Sequence, residues 1–138
     1  MKILFVCHYN VGRSQMAEAF LKKHGGESFE VESAGIEPGK LNPYVVRVMR
    51  EIGIDISENK TTGVTEYLSA GTKFDYVITV CDETSAERCP VFPTVTTRLH
   101  FGFKDPSSIK GTDEYILQET AIIRDQIKKK IVEWIKEF

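Results

Sequence analysis

Residues 2–14 read K-I-L-F-V-C-H-Y-N-V-G-R-S, an apolar run followed by a polar loop. The apolar part, residues 3–6, is continuous and stops at Cys7, which is typical of a strand buried on both faces. After the loop, residues 14–24 have the apolar spacing of a helix, and Gly25-Gly26 terminates it. A buried strand, a tight loop and a helix in this order predict the first unit of an α/β sheet.

The rest of the chain continues the alternation of strands and helices. Further strands are predicted at residues 29–33, 75–80 and 95–101, and a helix at 43–52 with Asn42 as its N-cap and Pro43 at its first position. A short helical turn is predicted at 66–70. Apolar residues from Ile116 to Phe138 recur at three- and four-residue steps, as in a long amphipathic helix. This order predicts a doubly wound parallel α/β fold with flanking helices, in one domain spanning residues 1–138.

Composition excludes several classes of protein. The 138 residues carry a net charge of −2, which gives no basic footprint for nucleic acid or an anionic membrane. No apolar run approaches a membrane span, and the N-terminal one is too short for a signal peptide. We therefore expect a cytoplasmic enzyme whose three cysteines are reduced thiols at rest.

Reactive side chains follow three of the predicted strands. Cys7 closes the first strand, Cys81 follows the third, and Asp105 comes a few residues after the fourth. Ligands of doubly wound folds bind beyond the carboxyl ends of the strands. We therefore expect these three side chains to lie at one edge of the sheet.

The loop at residues 7–14 has the composition of an oxyanion site. Its backbone N–H groups and the positive end of the following helix can face one tetrahedral anion. Gly12 can adopt positive φ and Asn10 tolerates it better than most residues, so both suit a tightly wound anion site. Arg13 can hold two oxygens through its planar guanidinium. The predicted oxyanion-binding set is His8, Tyr9, Asn10, Val11, Gly12 and Arg13.

Cys7 is the predicted nucleophile of this loop. The positive potential that attracts an anion also favours the thiolate form of Cys7, and Ser14 can hydrogen-bond the sulfur. The alternative is a small buried hydrophobe at a strand end, with Arg13 as a surface cation. The ordered set C-x5-R-S, between a buried strand and a helix, favours catalysis. His8 is interpreted as a lining residue and not as a base.

At these residues the chain resembles a known superfamily. The loop, the Q-M-A-E-A that follows at residues 15–19, and Ser33-Ala34-Gly35 are similar to low-molecular-weight tyrosine phosphatases and thioredoxin-coupled arsenate reductases. The resemblance extends to about Pro106, and the closing helix fits it. It implies a four-stranded parallel sheet with Cys7 as nucleophile and Arg13 as the oxyanion clamp.

Asp105-Pro106 has two interpretations. Asp-Pro commonly starts a turn, and the residues alone leave a turn and a general acid equally open. In the resembled families an Asp-Pro at this place supplies the acid that protonates the leaving oxygen. Aromatic residues often follow it in the phosphatases, whereas Ser107 and Ser108 follow here.

Cys81 and Cys89 distinguish the two resembled activities. Phosphate ester hydrolysis needs one thiol, whereas reduction of an oxyanion needs two electrons, which successive thiol exchange can supply. The segments V-I-T-V-C-D and C-P-V-F-P resemble the redox segment of the arsenate reductases, with a Cys81–Cys89 interval one residue longer. This implies a Cys7/Cys81/Cys89 relay that requires no bound cofactor and is reduced by an external thiol protein, thioredoxin by resemblance. Residues 82–88 are predicted to rearrange during the relay.

Alternatives for the thiols stay open. Cys81 can be a buried hydrophobe and Cys89 incidental. A zinc site of Cys81, Cys89 and His100 matches no structural zinc spacing and has no evident fourth ligand, so no metal is expected. The alternative function is a phosphotyrosine phosphatase acting through a Cys7 phosphoenzyme. A third hypothesis is a non-catalytic oxyanion or redox sensor.

Overall fold

The computed structural model describes residues 1–81 and 97–138, and within them four parallel strands form one sheet in the order β2-β1-β3-β4. The strands are β1 Lys2–Cys7, β2 Glu30–Gly35, β3 Tyr76–Thr79 and β4 Thr97–His100. The helices are α1 Arg13–Gly25, α2 Pro43–Arg50, α3 Val64–Ser69 and α4 Asp113–Ile135, with 3-10 turns at Gly26–Ser28 and Pro106–Ser108.

The predicted doubly wound parallel sheet is confirmed, and its boundaries shift by a few residues. β2 continues past residue 33 to Gly35, because its ladder with β1 extends to the pair Cys7 and Gly35. α2 ends at Arg50 and not at residue 52, while Asn42 caps it as predicted by accepting the Tyr44 N–H at 2.9 Å. α4 begins before Ile116 because Thr112 caps it. Residues 95 and 96 of the predicted last strand lie outside the described residues.

Both faces of the sheet are covered, as the unbroken apolar run of β1 requires. Ile3, Phe5 and Cys7 contribute to a large core cluster that includes residues of α1, α2 and α4. Leu4 and Val6 belong to a smaller cluster with residues of α3. Each fully buried side chain of this size stabilises the fold by about 1.5–3 kcal/mol. Of the described helices, none combines the length and apolar character needed to cross a bilayer.

The strand register brings the ends of the central strands together. Val6 pairs with Thr79, and the Val80 N–H donates to the Val6 carbonyl at 2.9 Å. Cys7, the last residue of β1, and Cys81, which follows β3, therefore lie at the same edge of the sheet. The Phe101 N–H donates to the Thr79 carbonyl at 2.8 Å, which brings the segment leading to Asp105 to that edge as well.

Candidate active site

The loop between β1 and α1 is held from its outer side by residues 36–42. Four carbonyls of the loop accept N–H hydrogen bonds at 2.9 to 3.2 Å. The donors are Ile36 to Cys7, Glu37 to His8, Gly39 to Tyr9 and Asn42 to Val11. In a trans peptide the C=O and the next N–H point in opposite directions. Because these carbonyls face outward, the N–H groups that follow them face inward, toward the start of α1. Inward-facing backbone N–H groups are the arrangement that anion sites in proteins use.

Asn10 holds the centre of the loop in a left-handed conformation. Its φ is 58°, a region that asparagine tolerates better than most residues, so the sequence prediction is confirmed here. The side chain is fully buried: Oδ1 accepts the Thr62 N–H at 2.9 Å, and Nδ2 donates to Ser14 Oγ at 2.7 Å. Its backbone N–H donates to Cys7 Sγ at 3.2 Å.

At Gly12 the structure uses the small size of glycine and not its freedom to adopt positive φ. Its φ is −154°, so it does not occupy the left-handed region. A side chain at this position would instead meet neighbours, since a Cβ would lie 3.2 Å from Val45 Cγ2 and 3.8 Å from Pro106 Cγ. Gly12 therefore allows α2 and the Asp105 loop to pack closely against the loop.

Cys7 is 2% exposed, and two hydrogen-bond donors reach its sulfur. Ser14 Oγ lies 2.9 Å from Cys7 Sγ. Because Ser14 Oγ already accepts from Asn10 Nδ2, its own hydrogen is free to point at the sulfur. The Asn10 N–H is the second donor. Donors of this kind stabilise negative charge on sulfur, as a nucleophilic thiolate requires.

Arg13 connects the loop with the segment that carries Asp105. Its side chain is 6% exposed; Nη1 donates to the Phe103 carbonyl at 3.0 Å, and Nη2 lies 3.8 Å from Asp105 Oδ2. The other oxygen of Asp105 accepts the Ser107 N–H at 2.9 Å, so Asp105 is both a turn residue and a neighbour of Arg13. The two interpretations of Asp105-Pro106 are therefore compatible.

The fold and loop correspond to a known family. The profile for low molecular weight phosphotyrosine protein phosphatases matches residues 2–138. The chain belongs to this family. An arsenate reductase of Halalkalibacterium halodurans is 43% identical over 129 residues, covering 94% of this chain and 91% of the relative.

Two solved structures are also similar to this chain. An arsenate reductase in the phosphate binding state has a TM-score of 0.78 and 28% identity, with 99% of this chain and 97% of that chain covered. A thioredoxin-dependent arsenate reductase of Corynebacterium glutamicum has a TM-score of 0.61 and 30% identity, with 94% of this chain and 61% of that chain covered.

The remaining predicted residues of this family member have distinct positions. His8 is mostly buried, with Nε2 3.7 Å from Glu37 Oε2 and its ring packed edge-on against Tyr9. Tyr9 is 45% exposed, whereas Val11 contributes its carbonyl to the bond with Asn42. His8 and Tyr9 thus form the rim of the loop.

Of the two further thiols, Cys81 lies within the described residues, just beyond the pairing of Val80 with Val6 at the end of β1. Cys81 is fully buried and belongs to the same core cluster as Cys7. Cys89 and residues 82–88 lie outside the described residues. Within the described ranges no group of three or more His, Cys, Asp or Glu side chains is arranged to hold a metal. His100 lies with Nδ1 2.7 Å from Thr79 Oγ1.

Sequence reasoning missed the role of Gln15 behind the loop. The side chain is 1% exposed, and its Nε2 donates to both oxygens of Asn10 at 3.2 Å and to the Lys60 carbonyl at 3.1 Å. Its Oε1 accepts from Asn59 Nδ2 at 3.1 Å. A polar residue directly after Arg-Ser, in the buried first turn of α1, was the available signal.

Gly35, at the end of β2, leaves no room for a side chain. A Cβ there would lie 2.6 Å from the Tyr9 carbonyl carbon and 2.7 Å from the Asn10 nitrogen. We expect Gly35→Ala to displace the loop, to lower the free energy of unfolding by more than about 2 kcal/mol, and to weaken phosphate binding at least tenfold. Denaturant unfolding and phosphate titration measure both effects.

Gly63 provides the matched control, because it forms a β-bridge with Gly35. Its φ is −84°, and a Cβ there would meet its nearest neighbours at 3.5 Å, an ordinary contact distance. Gly63→Ala should therefore keep phosphate affinity near that of the wild type. If Gly35→Ala and Gly63→Ala bound phosphate equally well, the close approach of Gly35 to the loop would not determine the loop's conformation.

Proposed function

We propose that this chain reduces arsenate to arsenite, with Cys7 as the nucleophile and Cys81 and Cys89 as the thiols that carry the electrons. The observation that carries the proposal is the pairing of a complete oxyanion loop with a second buried thiol, Cys81, at the end of the neighbouring strand. The names of the relatives support the same activity.

In the first step the loop N–H groups and Arg13 hold arsenate, and the Cys7 thiolate attacks arsenic. A sulfur–arsenic bond forms and an arsenic–oxygen bond breaks. Asp105 donates the proton that lets the oxygen leave as water, a contribution of about 10²–10⁴-fold in rate. Asp105 lies beside the Arg13 guanidinium, which would hold the arsenate, and this proximity to the proposed anion site supports the role.

In the second step the Cys81 thiolate attacks Cys7 Sγ. A Cys7–Cys81 disulfide forms, and the electron pair of the sulfur–arsenic bond passes to arsenic, which leaves as arsenite in the +3 state. The Cys89 thiolate then attacks Cys81, which frees Cys7 and leaves a Cys81–Cys89 disulfide. Each turnover therefore consumes two electrons from the thiols.

The electrons must return from outside the chain, because no resident cofactor takes part in these steps. A dithiol protein such as thioredoxin can reduce the Cys81–Cys89 disulfide by the same exchange chemistry. The Corynebacterium glutamicum relative, described as thioredoxin-dependent, supports this choice.

The direct test is arsenate-dependent oxidation of NADPH in the presence of thioredoxin and thioredoxin reductase. We expect turnover that requires all three components. Absence of arsenate-dependent oxidation, with thioredoxin and with glutaredoxin as the reductant, would exclude the reductase.

A second candidate is hydrolysis of an aryl phosphate through a Cys7 phosphoenzyme. The arrangement that favours it is the set Cys7, Arg13 and Asp105, which is sufficient for ester hydrolysis without Cys81. A parallel assay with p-nitrophenyl phosphate decides between them. Efficient hydrolysis together with no arsenate reduction would establish the phosphatase.

Replacing Asp105 with asparagine should separate chemistry from binding. Asp105→Asn keeps an oxygen that accepts the Ser107 N–H but cannot donate a proton as an acid, so kcat with arsenate should fall by about 10²-fold or more. Inhibition by phosphate, which needs only the loop, should stay within about twofold. Steady-state kinetics measure both quantities.

The control is Asp113→Asn, which changes an exposed carboxylate that accepts from the Tyr44 hydroxyl. Its kcat should match the wild type. A wild-type kcat for Asp105→Asn as well would mean that Asp105 serves only the turn.

A further inference from the structure

We propose that Asn42 is a positioning residue for the acid: it holds Ser107, and through Ser107 the Asp105 carboxylate, against the anion loop. The inference rests on the function proposed above, in which Asp105 is the proton donor. Asn42 is 65 residues from Ser107 in the sequence, and its side chain crosses from α2 to the Asp105 loop.

Asn42 is fixed on the side of the anion loop. It is 8% exposed, and its backbone N–H donates to the Val11 carbonyl at 2.9 Å. Its Oδ1 caps α2 by accepting the N–H groups of Tyr44 and Val45 at 2.9 and 3.4 Å. These contacts set the orientation of the amide, so Nδ2 points away from the helix.

The remaining donor of Asn42 reaches the acid loop. Nδ2 donates to Ser107 Oγ at 3.1 Å, and the Ser107 N–H donates to Asp105 Oδ1 at 2.9 Å. Ser107 therefore accepts a hydrogen bond from Asn42, which anchors it, and donates one to Asp105, which orients the carboxylate. Pro106, next to Ser107, lies close to Gly12, since a Cβ at Gly12 would be 3.8 Å from Pro106 Cγ.

Two side-chain hydrogen bonds in the described ranges connect residues 103–108 with the loop and α2. One is Arg13 Nη1 to the Phe103 carbonyl, and the other is Asn42 Nδ2 to Ser107 Oγ. Arg13 is also the proposed anion clamp, so its contacts change when substrate binds. Among the described residues, the hydrogen bonds of Asn42 involve none of the proposed reacting groups, so Asn42 can keep the acid loop in place throughout the cycle.

The test uses variants that cut the link at either end. Asn42→Thr keeps a side-chain oxygen that can cap α2 but loses the Nδ2 donor. Ser107→Ala removes the acceptor and leaves the backbone N–H to Asp105 in place. For each variant we expect about a tenfold lower kcat with arsenate, part of the general-acid contribution, and an unchanged inhibition constant for phosphate.

Two further readouts separate positioning from a general structural role. In the Asp105→Asn background, Asn42→Thr should lower kcat no further, because no acid remains to be positioned. Amide hydrogen exchange at position 107, followed by NMR, should accelerate in both single variants. The control Thr112→Ala removes the cap of α4 and should destabilise the protein. It should change neither kcat nor the amide exchange at position 107.

The proposal is overturned if either single variant keeps both the wild-type kcat and the protection of the amide at position 107. It is also overturned if the effects of Asn42→Thr and Asp105→Asn on kcat add. A wild-type chain that reduces no arsenate would instead overturn the function proposed above. Amide exchange, which needs no turnover, would then decide the link between Asn42 and Ser107.

Discussion

Cys7→Ser is expected to abolish arsenate reduction, with kcat falling by at least about 10⁴-fold. A serine hydroxyl is a much weaker nucleophile than a cysteine thiolate, and the proposed reaction also needs sulfur to form a disulfide. Any aryl-phosphate hydrolysis should disappear with it. NADPH oxidation and p-nitrophenol release measure the two activities.

The variant should remain folded, because serine preserves the contacts of Cys7. The Asn10 N–H and the Ser14 hydroxyl both donate toward position 7, and an oxygen can accept them as sulfur does. No buried donor is therefore left without a partner. Thermal unfolding and phosphate titration should be close to the wild type, and activity above a trace in a folded variant would remove Cys7 from the nucleophile role.

The fold was predictable because its strongest signals are local. The apolar run before Cys7 predicted the central strand, and the glycine pair after His24 predicted the end of α1. Both follow from periodicity and from turn-forming residues, which act over a few positions. Boundaries shifted where distant contacts decided them, as when pairing with β1 carried β2 to Gly35.

The geometry of the loop between β1 and α1 was only partly predictable from the sequence. The sequence suggested that Gly12 serves the loop through its access to positive φ, whereas the structure shows close packing against Val45 at that position. Asn42 was recognised as a helix cap, and its bond to Ser107 was not foreseen. Contacts between residues far apart in sequence leave no period or spacing to detect, so they become visible only in the folded chain.

The relay makes the second large prediction, which concerns Cys81 and Cys89. Cys81→Ser should stop the reaction before any disulfide forms on Cys7, and Cys89→Ser should complete one round and then stall as a Cys7–Cys81 disulfide. Both variants should lose steady-state arsenate reduction by more than about 10³-fold, since a missing thiol ends the exchange. Aryl-phosphate hydrolysis, which needs only Cys7, should match the wild type in both.

In the proposed relay Cys81 must form two different disulfides, and each has its own distance requirement. A disulfide needs Cα atoms roughly 4.4–6.8 Å apart. Cys81 must meet Cys7 first and Cys89 next, and the structure places Cys81 in the same buried cluster as Cys7. The sequence-based prediction that residues 82–88 rearrange between the two steps concerns residues outside the described ranges and stays a prediction.

Mass spectrometry after a single arsenate turnover identifies the linked peptides. The Cys89→Ser sample should contain Cys7 joined to Cys81, with one arsenite released per chain. The Cys81→Ser sample should contain no disulfide to Cys7 and release no arsenite, and the wild type should contain Cys81 joined to Cys89. Repeated turnover by either variant at the wild-type rate with thioredoxin would contradict the three-thiol relay and leave Cys7 chemistry alone to account for the activity.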